Sequence, residues 1–247
     1  MEIPSLLDML KAGVHFGHQT GKWHPKMKPY IYGDRNGVHI INLETTQKKL
    51  EEALNYVKET VAKGGTVLFL GTKTQAKEIV REAAKSCGMP YIVERWLGGT
   101  FTNSATILKL IKKYQRMKNE FEKGEWEKFT KKERLVKERE LKKLDTLIGG
   151  LATMEKLPDA IFIIDMKDEK TAVVEANKVG VPIVAICDTN INPEKAQYPI
   201  PANDDATKSI EMISKLVAEA VEEGKKAVKP DNKLKTKNEK GKTTMKK

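Results

Sequence analysis

Thr66-Val67-Leu68-Phe69-Leu70-Gly71-Thr72-Lys73 is an apolar, β-branched run that stops at a glycine and leads into a helical pattern over about 73 to 87. Three more runs share this character: Tyr91-Ile92-Val93, Ala160-Ile161-Phe162-Ile163-Ile164 and Pro182-Ile183-Val184-Ala185-Ile186. Their hydrophobicity is continuous rather than alternating, so both faces of each strand must be covered. Helical patterns at about 44 to 63, 168 to 179 and 206 to 223 complete the series. Strands interleaved with helices in this way specify a mainly parallel sheet sandwiched by helices. The expected fold class is α/β, with a doubly wound body over residues 44–101 and 147–224.

Three segments depart from that pattern. Residues 1–43 form an N-terminal extension in which Asp34-Arg35-Asn36-Gly37 signals a β-hairpin, because Asn-Gly accepts the positive φ angles of a tight turn. Over 102–146, Ile107, Leu110, Ile111, Tyr114, Met117 and Phe121 recur at gaps of three and four. Trp126, Phe129, Val136, Leu141 and Leu144 come after Gly124. So narrow a stripe suits two helices packed mainly on each other, an inserted antiparallel helical hairpin of coiled-coil type with its tip near Lys123-Gly124. Residues 225–247 are lysine-rich, hold one valine, one leucine and one methionine besides Ala227, and are expected to be a disordered tail.

Charge is divided along the same lines. The chain of 247 residues carries +11. Residues 11–49 hold seven Lys/Arg against two acids, 109–143 hold fourteen against seven, and 225–247 hold ten against two, leaving −9 for the remainder. Basic charge confined to appendages around an acidic body points to a polyanionic partner. The two cysteines, Cys87 and Cys187, sit beside apolar residues and are expected to be buried free thiols in a reducing, cytoplasmic compartment. Neither a secretory leader nor a membrane span is expected.

The segment from His15 to Thr46 places three of the four histidines within ten residues, then Trp23, Lys26, Lys28, Tyr30 and Tyr32. Rings offer π-faces to bases and lysines neutralise phosphates, so this mixture reads as nucleic-acid contact. The candidate RNA-binding residues are Lys22, Trp23, His24, Lys26, Lys28 and Arg35 here, with Lys112, Lys113, Arg116, Lys131 and Lys132 on the helical insertion.

The wording of several strings is distinctive: His15-Phe16-Gly17-His18-Gln19-Thr20, Trp23-His24-Pro25-Lys26-Met27, Arg95-Trp96-Leu97-Gly98-Gly99-Thr100-Phe101-Thr102-Asn103, Cys187-Asp188-Thr189-Asn190 and Ile200-Pro201-Ala202-Asn203-Asp204-Asp205-Ala206. In this order, over residues 6 to about 222, they resemble the S-two family of bacterial small-subunit ribosomal proteins. The resemblance implies a structural constituent of the small ribosomal subunit with no enzymatic activity, located in the cytoplasmic ribosome. It implies ribosomal RNA and neighbouring small-subunit proteins as partners, the large S-one protein among them. It also implies a coiled-coil hairpin inserted in an α/β body.

Chemical alternatives are disfavoured. Gly71-Thr72-Lys73-Thr74 comes directly after a strand, but a phosphate-binding loop needs Gly and Lys adjacent, and no Gly-x-Gly-x-x-Gly occurs. Asp165 and Asp188 end strands without a base or metal set beside them and read as loop-capping groups. His15 and His18 are three apart with His24 and His39 nearby, and Asp188, Asp204 and Asp205 could approach them in the fold, but no Cys pair or His-Glu-x-x-His spacing supports a metal, and neither a cofactor nor a small-molecule substrate is expected. Within Arg95–Asn103, Trp96, Leu97 and Phe101 are expected to anchor the base of the insertion, with Arg95 left open between RNA contact and structure. An RNA-binding regulator working off the ribosome, or a nucleotide-binding α/β enzyme, are the alternative functions.

Overall fold

The computed structural model describes residues 3–227, and the expected tail beyond Ala227 lies outside the described residues. The chain opens with helix α1 (Leu6–Lys11), whose first turn is capped by Ser5 Oγ accepting from the Asp8 amide. Next come strands β1 (Phe16–Gln19), β2 (Ile31–Arg35) and β3 (Val38–Ile41). They form an antiparallel sheet in the order β1-β3-β2. Asn36 and Gly37, at φ 53° and 76°, make the two-residue turn joining β2 to β3. That turn is the one expected; β1 was not. Gly17 explains how β1 fits, since a Cβ there would stand 2.6 Å from a Thr189 methyl.

The body then runs through α2 (Leu43–Ala62), β4 (Val67–Leu70), α3 (Lys77–Ser86), β5 (Tyr91–Ile92), α4 (Ser104–Glu122), α5 (Lys131–Ile148), β6 (Ala160–Ile163), α6 (Lys170–Val179), β7 (Ile183–Cys187), β8 (Tyr198–Pro201) and α7 (Thr207–Ala227). Strands β4 to β8 form one sheet in the order β5-β4-β6-β7-β8, and every pairing in it is parallel. Successive residues point to opposite faces. Val67, Phe69, Phe162, Val184 and Ile200 pack against Leu50, Leu54 and Val57 of α2, Val80 of α3, and Val217 and Val221 of α7. Leu68, Leu70, Ile161, Ile163 and Ala185 pack against Val173 and Ala176 of α6 and the foot of α4. The expected parallel α/β sheet with both faces covered is therefore present.

Three boundaries differ from expectation. Helix α3 begins at Lys77 rather than Lys73, because residues 73–76 form a turn in which Lys73 O accepts from the Ala76 and Lys77 amides. Strand β8 carries no clear strand signal because Pro199 and Pro201 interrupt it; it lies at the sheet edge, where a missing N–H is tolerated. Helix α7 continues to Ala227, so Lys225 and Lys226, expected in the tail, are helical. Both cysteines are free and buried.

Helices α4 and α5 are separated by a turn at Gly124, φ 69°, and a 3-10 turn over Glu125–Lys128. Lys113 pairs with Glu140 at 2.5 Å, and Tyr114 Oη donates to Asp145. Phe121 and Val136 of the apolar stripe are 49% and 58% exposed, while Trp126 is buried and the Lys137 amine lies 4.2 Å from the Phe129 ring centre.

The loop preceding α4 is gathered by one side chain. Glu175 of α6 is buried and accepts from Trp96 Nε1 (3.2 Å) and from the backbone amides of Gly99 (2.7 Å), Phe101 (3.0 Å) and Thr102 (3.2 Å). Burial alone would raise its pKa, but these donors favour the carboxylate and hold it below the usual glutamate value. Gly99 sits at φ +90°, a conformation an L side chain rarely adopts. Trp96 meets Phe101 edge-on at 5.0 Å, and both pack with Ile107, Ile111 and Tyr114. Glu175→Ala strands several buried donors and should cost about 3 kcal/mol or more. Thermal denaturation should show a clear fall in Tm, with Glu175→Gln intermediate; an unchanged Tm for Glu175→Ala contradicts this role.

Candidate nucleic-acid interface

The N-terminal segment is held to the carboxyl end of the parallel sheet by Thr189. Its Oγ1 accepts from the His18 amide at 2.9 Å and its carbonyl accepts from the His24 amide at 2.7 Å. Pro25 and Pro29 restrict the next stretch of chain to a 3-10 turn over Pro25–Tyr30, and buried Met27 pins it. The cations are thereby left outside. Lys22, Lys28 and Arg35 are exposed and, among the described residues, form no ion pair. Lys26 pairs with Glu194 at 2.7 Å and is already partly neutralised. His24 is half-buried, its Nδ1 accepting from the Lys26 amide. Trp23 is 38% exposed beside His39, and Tyr32, absent from the candidate residues, is 81% exposed.

The second set lies on α4 and α5. Lys112, Lys131 and Lys132 are exposed without an ion pair among the described residues. Lys113 is tied to Glu140, and Arg116 stands 3.6 Å from Glu120. Lys131 and Lys132 occupy the first turn of α5, which Thr130 and Glu133 cap reciprocally. They reinforce the positive end of the helix dipole and so favour an anion there. Arg95 is exposed and makes no ion pair among the described residues.

Sequence reasoning foresees that Asp188, Asp204 and Asp205 approach the N-terminal histidines but misses the place of Lys73 in the polar cluster at the carboxyl ends of the strands. Lys73 Nζ lies 2.9 Å from Asp204, 2.6 Å from Asp205 and 3.5 Å from Asp165. His18 Nδ1 lies 3.1 Å from Asp188. Asp165 and Asp188 also accept from loop amides, Asp165 from Lys167 and Asp188 from Thr189. No local spacing announces this cluster, since residues 18, 73, 165, 188 and 204 come from five separate segments. The Lys73 amine, the one cation of the Gly71–Thr74 turn, is enclosed by three carboxylates and is not offered to a phosphate. Among the described residues, the group placed to offer ligands to a metal ion is His18, Asp188 and Asp204, whose donor atoms lie within 4.8 Å of one another. Asp204 Oδ2 has no partner among the described residues.

The family described as Ribosomal protein S2 matches residues 9–224. The chain belongs to the ribosomal protein S2 family. A curated relative, "Small ribosomal subunit protein uS2" of Coprothermobacter proteolyticus, is 48% identical over 225 residues, covering 91% of this chain and 84% of the relative. Within this S2 chain, the matched span contains the N-terminal segment, the Glu175-bound loop, the helix pair and the Lys73 cluster.

Two groups in the cluster hold their protons to higher pH in the folded state than in the unfolded chain. The hydrogen bond to Asp188 raises the His18 pKa, so the folded state retains a proton on the ring that the unfolded chain sheds near 6.5. Desolvation, helped by Asp165 and Asp188, pushes Asp204 up to about 7, so the folded state also holds a proton there that the unfolded chain has released. In both cases the native state binds more protons, and stability falls as pH rises. Tm should therefore decline from pH 5 towards pH 8. Asp204→Asn, which cannot ionise, should flatten that decline; a slope equal to wild type between pH 5 and 7 contradicts the assignment.

Proposed function

We propose that the chain docks on ribosomal RNA through two sets of cations, one on the N-terminal segment and one on the α4–α5 pair, with Trp23 and Tyr32 offering rings to unpaired bases. As an S2-family member it is a structural, non-enzymatic constituent of the small ribosomal subunit, serving translation in the cytoplasmic ribosome among ribosomal RNA and other ribosomal proteins. The observation that carries the RNA reading is the contrast between two regions. Lys22, Lys28, Arg35, Lys112, Lys131 and Lys132 stand exposed and unpaired among the described residues. Lys73, at the strand ends where an α/β enzyme would bind substrate, is instead enclosed by Asp165, Asp204 and Asp205.

In this reading residues 1–43 act as a basic extension, and residues 102–146 as a coiled-coil hairpin standing off the body and tracking the RNA backbone. Lys26, Lys113 and Arg116 contribute less than their unpaired neighbours, because each must exchange an existing carboxylate partner for a phosphate. The acidic remainder of the body, net −9 outside the three basic segments, is the surface offered to the large S-one protein.

Charge reversal tests the docking directly. Lys22→Glu, Lys28→Glu and Arg35→Glu together leave the core untouched and should change stability by no more than about 1 kcal/mol. The variant should be depleted from small subunits on a sedimentation gradient; normal occupancy overturns the assignment of this face.

A further inference from the structure

A cavity of about 290 Å³ opens at the carboxyl ends of β6 and β7, between the loop that enters α6 and the loop after β7. Lys167, Lys170 and Lys195 line it, as do Met166 and Ile191, and His24 of the N-terminal segment closes one side. No acidic residue lines it. None of the three lysines makes an ion pair or side-chain hydrogen bond among the described residues, in contrast to Lys26 on the adjacent segment. Met166 and Ile191 are nearly buried, at 5% and 6%, and give the cavity an apolar floor. Asn192 Oδ1 accepts from the Glu194 amide, and its Nδ2 has no hydrogen-bond partner among the described residues. Asn190, also on the wall, keeps its Oδ1 unpartnered.

Three unpaired ammonium groups around an apolar floor, with amide groups at the wall, match the parts of a nucleotide. The cations suit the phosphate, the apolar floor suits the base or sugar, and the amides suit its hydroxyl or exocyclic groups. We propose that this cavity receives one unstacked nucleotide of the bound ribosomal RNA, its backbone phosphates held by Lys167, Lys170 and Lys195. The inference rests on the RNA-docking reading above and extends it to residues on the α/β body. The body thus grips the chain that the N-terminal segment guides past His24. Unstacking a base costs a few kcal/mol in a duplex and far less in a loop or bulge, so the bound element is single-stranded at this point.

The test uses the full chain and small-subunit ribosomal RNA substituted with 4-thiouridine, in filter binding across a salt series and in photocrosslinking read by mass spectrometry. Lys167→Ala/Lys170→Ala/Lys195→Ala is compared with wild type and with Lys112→Ala/Lys131→Ala/Lys132→Ala, circular dichroism confirming that each is folded. The cavity variant should bind about tenfold or more weakly, and its slope of log affinity against log salt should shrink by roughly one to two. Wild-type adducts should fall on peptides spanning 166–170 or 190–195. Wild-type binding with an unchanged cavity variant, or adducts confined to other segments, overturns the cavity and leaves the docking reading standing. Wild-type protein without salt-dependent RNA binding overturns both.

Discussion

The central strands β4, β6 and β7 of the parallel sheet are buried on both faces, and the need to cover both organises the rest of the molecule. Covering two faces at once takes α2, α3 and α7 on one side and α6 with the foot of α4 on the other. Burying apolar surface on this scale is the main source of stability. The N-terminal segment and the α4–α5 pair are each fastened to this body by a specific polar contact rather than by core alone. Thr189 receives the amides of His18 and His24, and Glu175 receives the loop that launches α4.

The two fastenings explain strings that look arbitrary in one dimension. Arg95–Asn103 carries Gly99 because the backbone there turns at positive φ to bring its amide onto the Glu175 carboxylate. Gly17 is small because β1 lies against Thr189. The acidic residues after the strands do not prepare a substrate site. They surround Lys73 and His18, so the carboxyl end of the sheet is crosslinked by its own charges, with cost and gain nearly balanced as is usual for buried ion pairs.

Legibility in the sequence tracks the range of the interaction. The continuous runs at 66–70, 160–164 and 182–186 reveal the parallel sheet, and Asn36-Gly37 reveals the turn of the N-terminal hairpin, because those signals are carried by adjacent residues. Strand β8 is hidden by Pro199 and Pro201, and β1 by its four-residue length and mixed polarity. The exposure of Trp23 and the unpaired state of Lys22 and Lys28 agree with the residue types alone. The neutralisation of Lys26 by Glu194 and of Lys113 by Glu140 does not, since each partner arrives from a distant segment. The Lys73 cluster and the clamp on Glu175 depend wholly on tertiary approach.

If an acidic α/β body is attached to ribosomal RNA by unpaired cations on its additions and at its strand ends, salt must loosen the attachment. The decisive measurement is sedimentation of cell lysates through gradients of increasing salt, tracking the fraction of this chain in the small-subunit peak. Stoichiometric presence is expected at low salt, with progressive release as salt rises, because each phosphate contact returns counterions. Residence in the light fractions at low salt, or retention unaffected by salt, would contradict electrostatic docking.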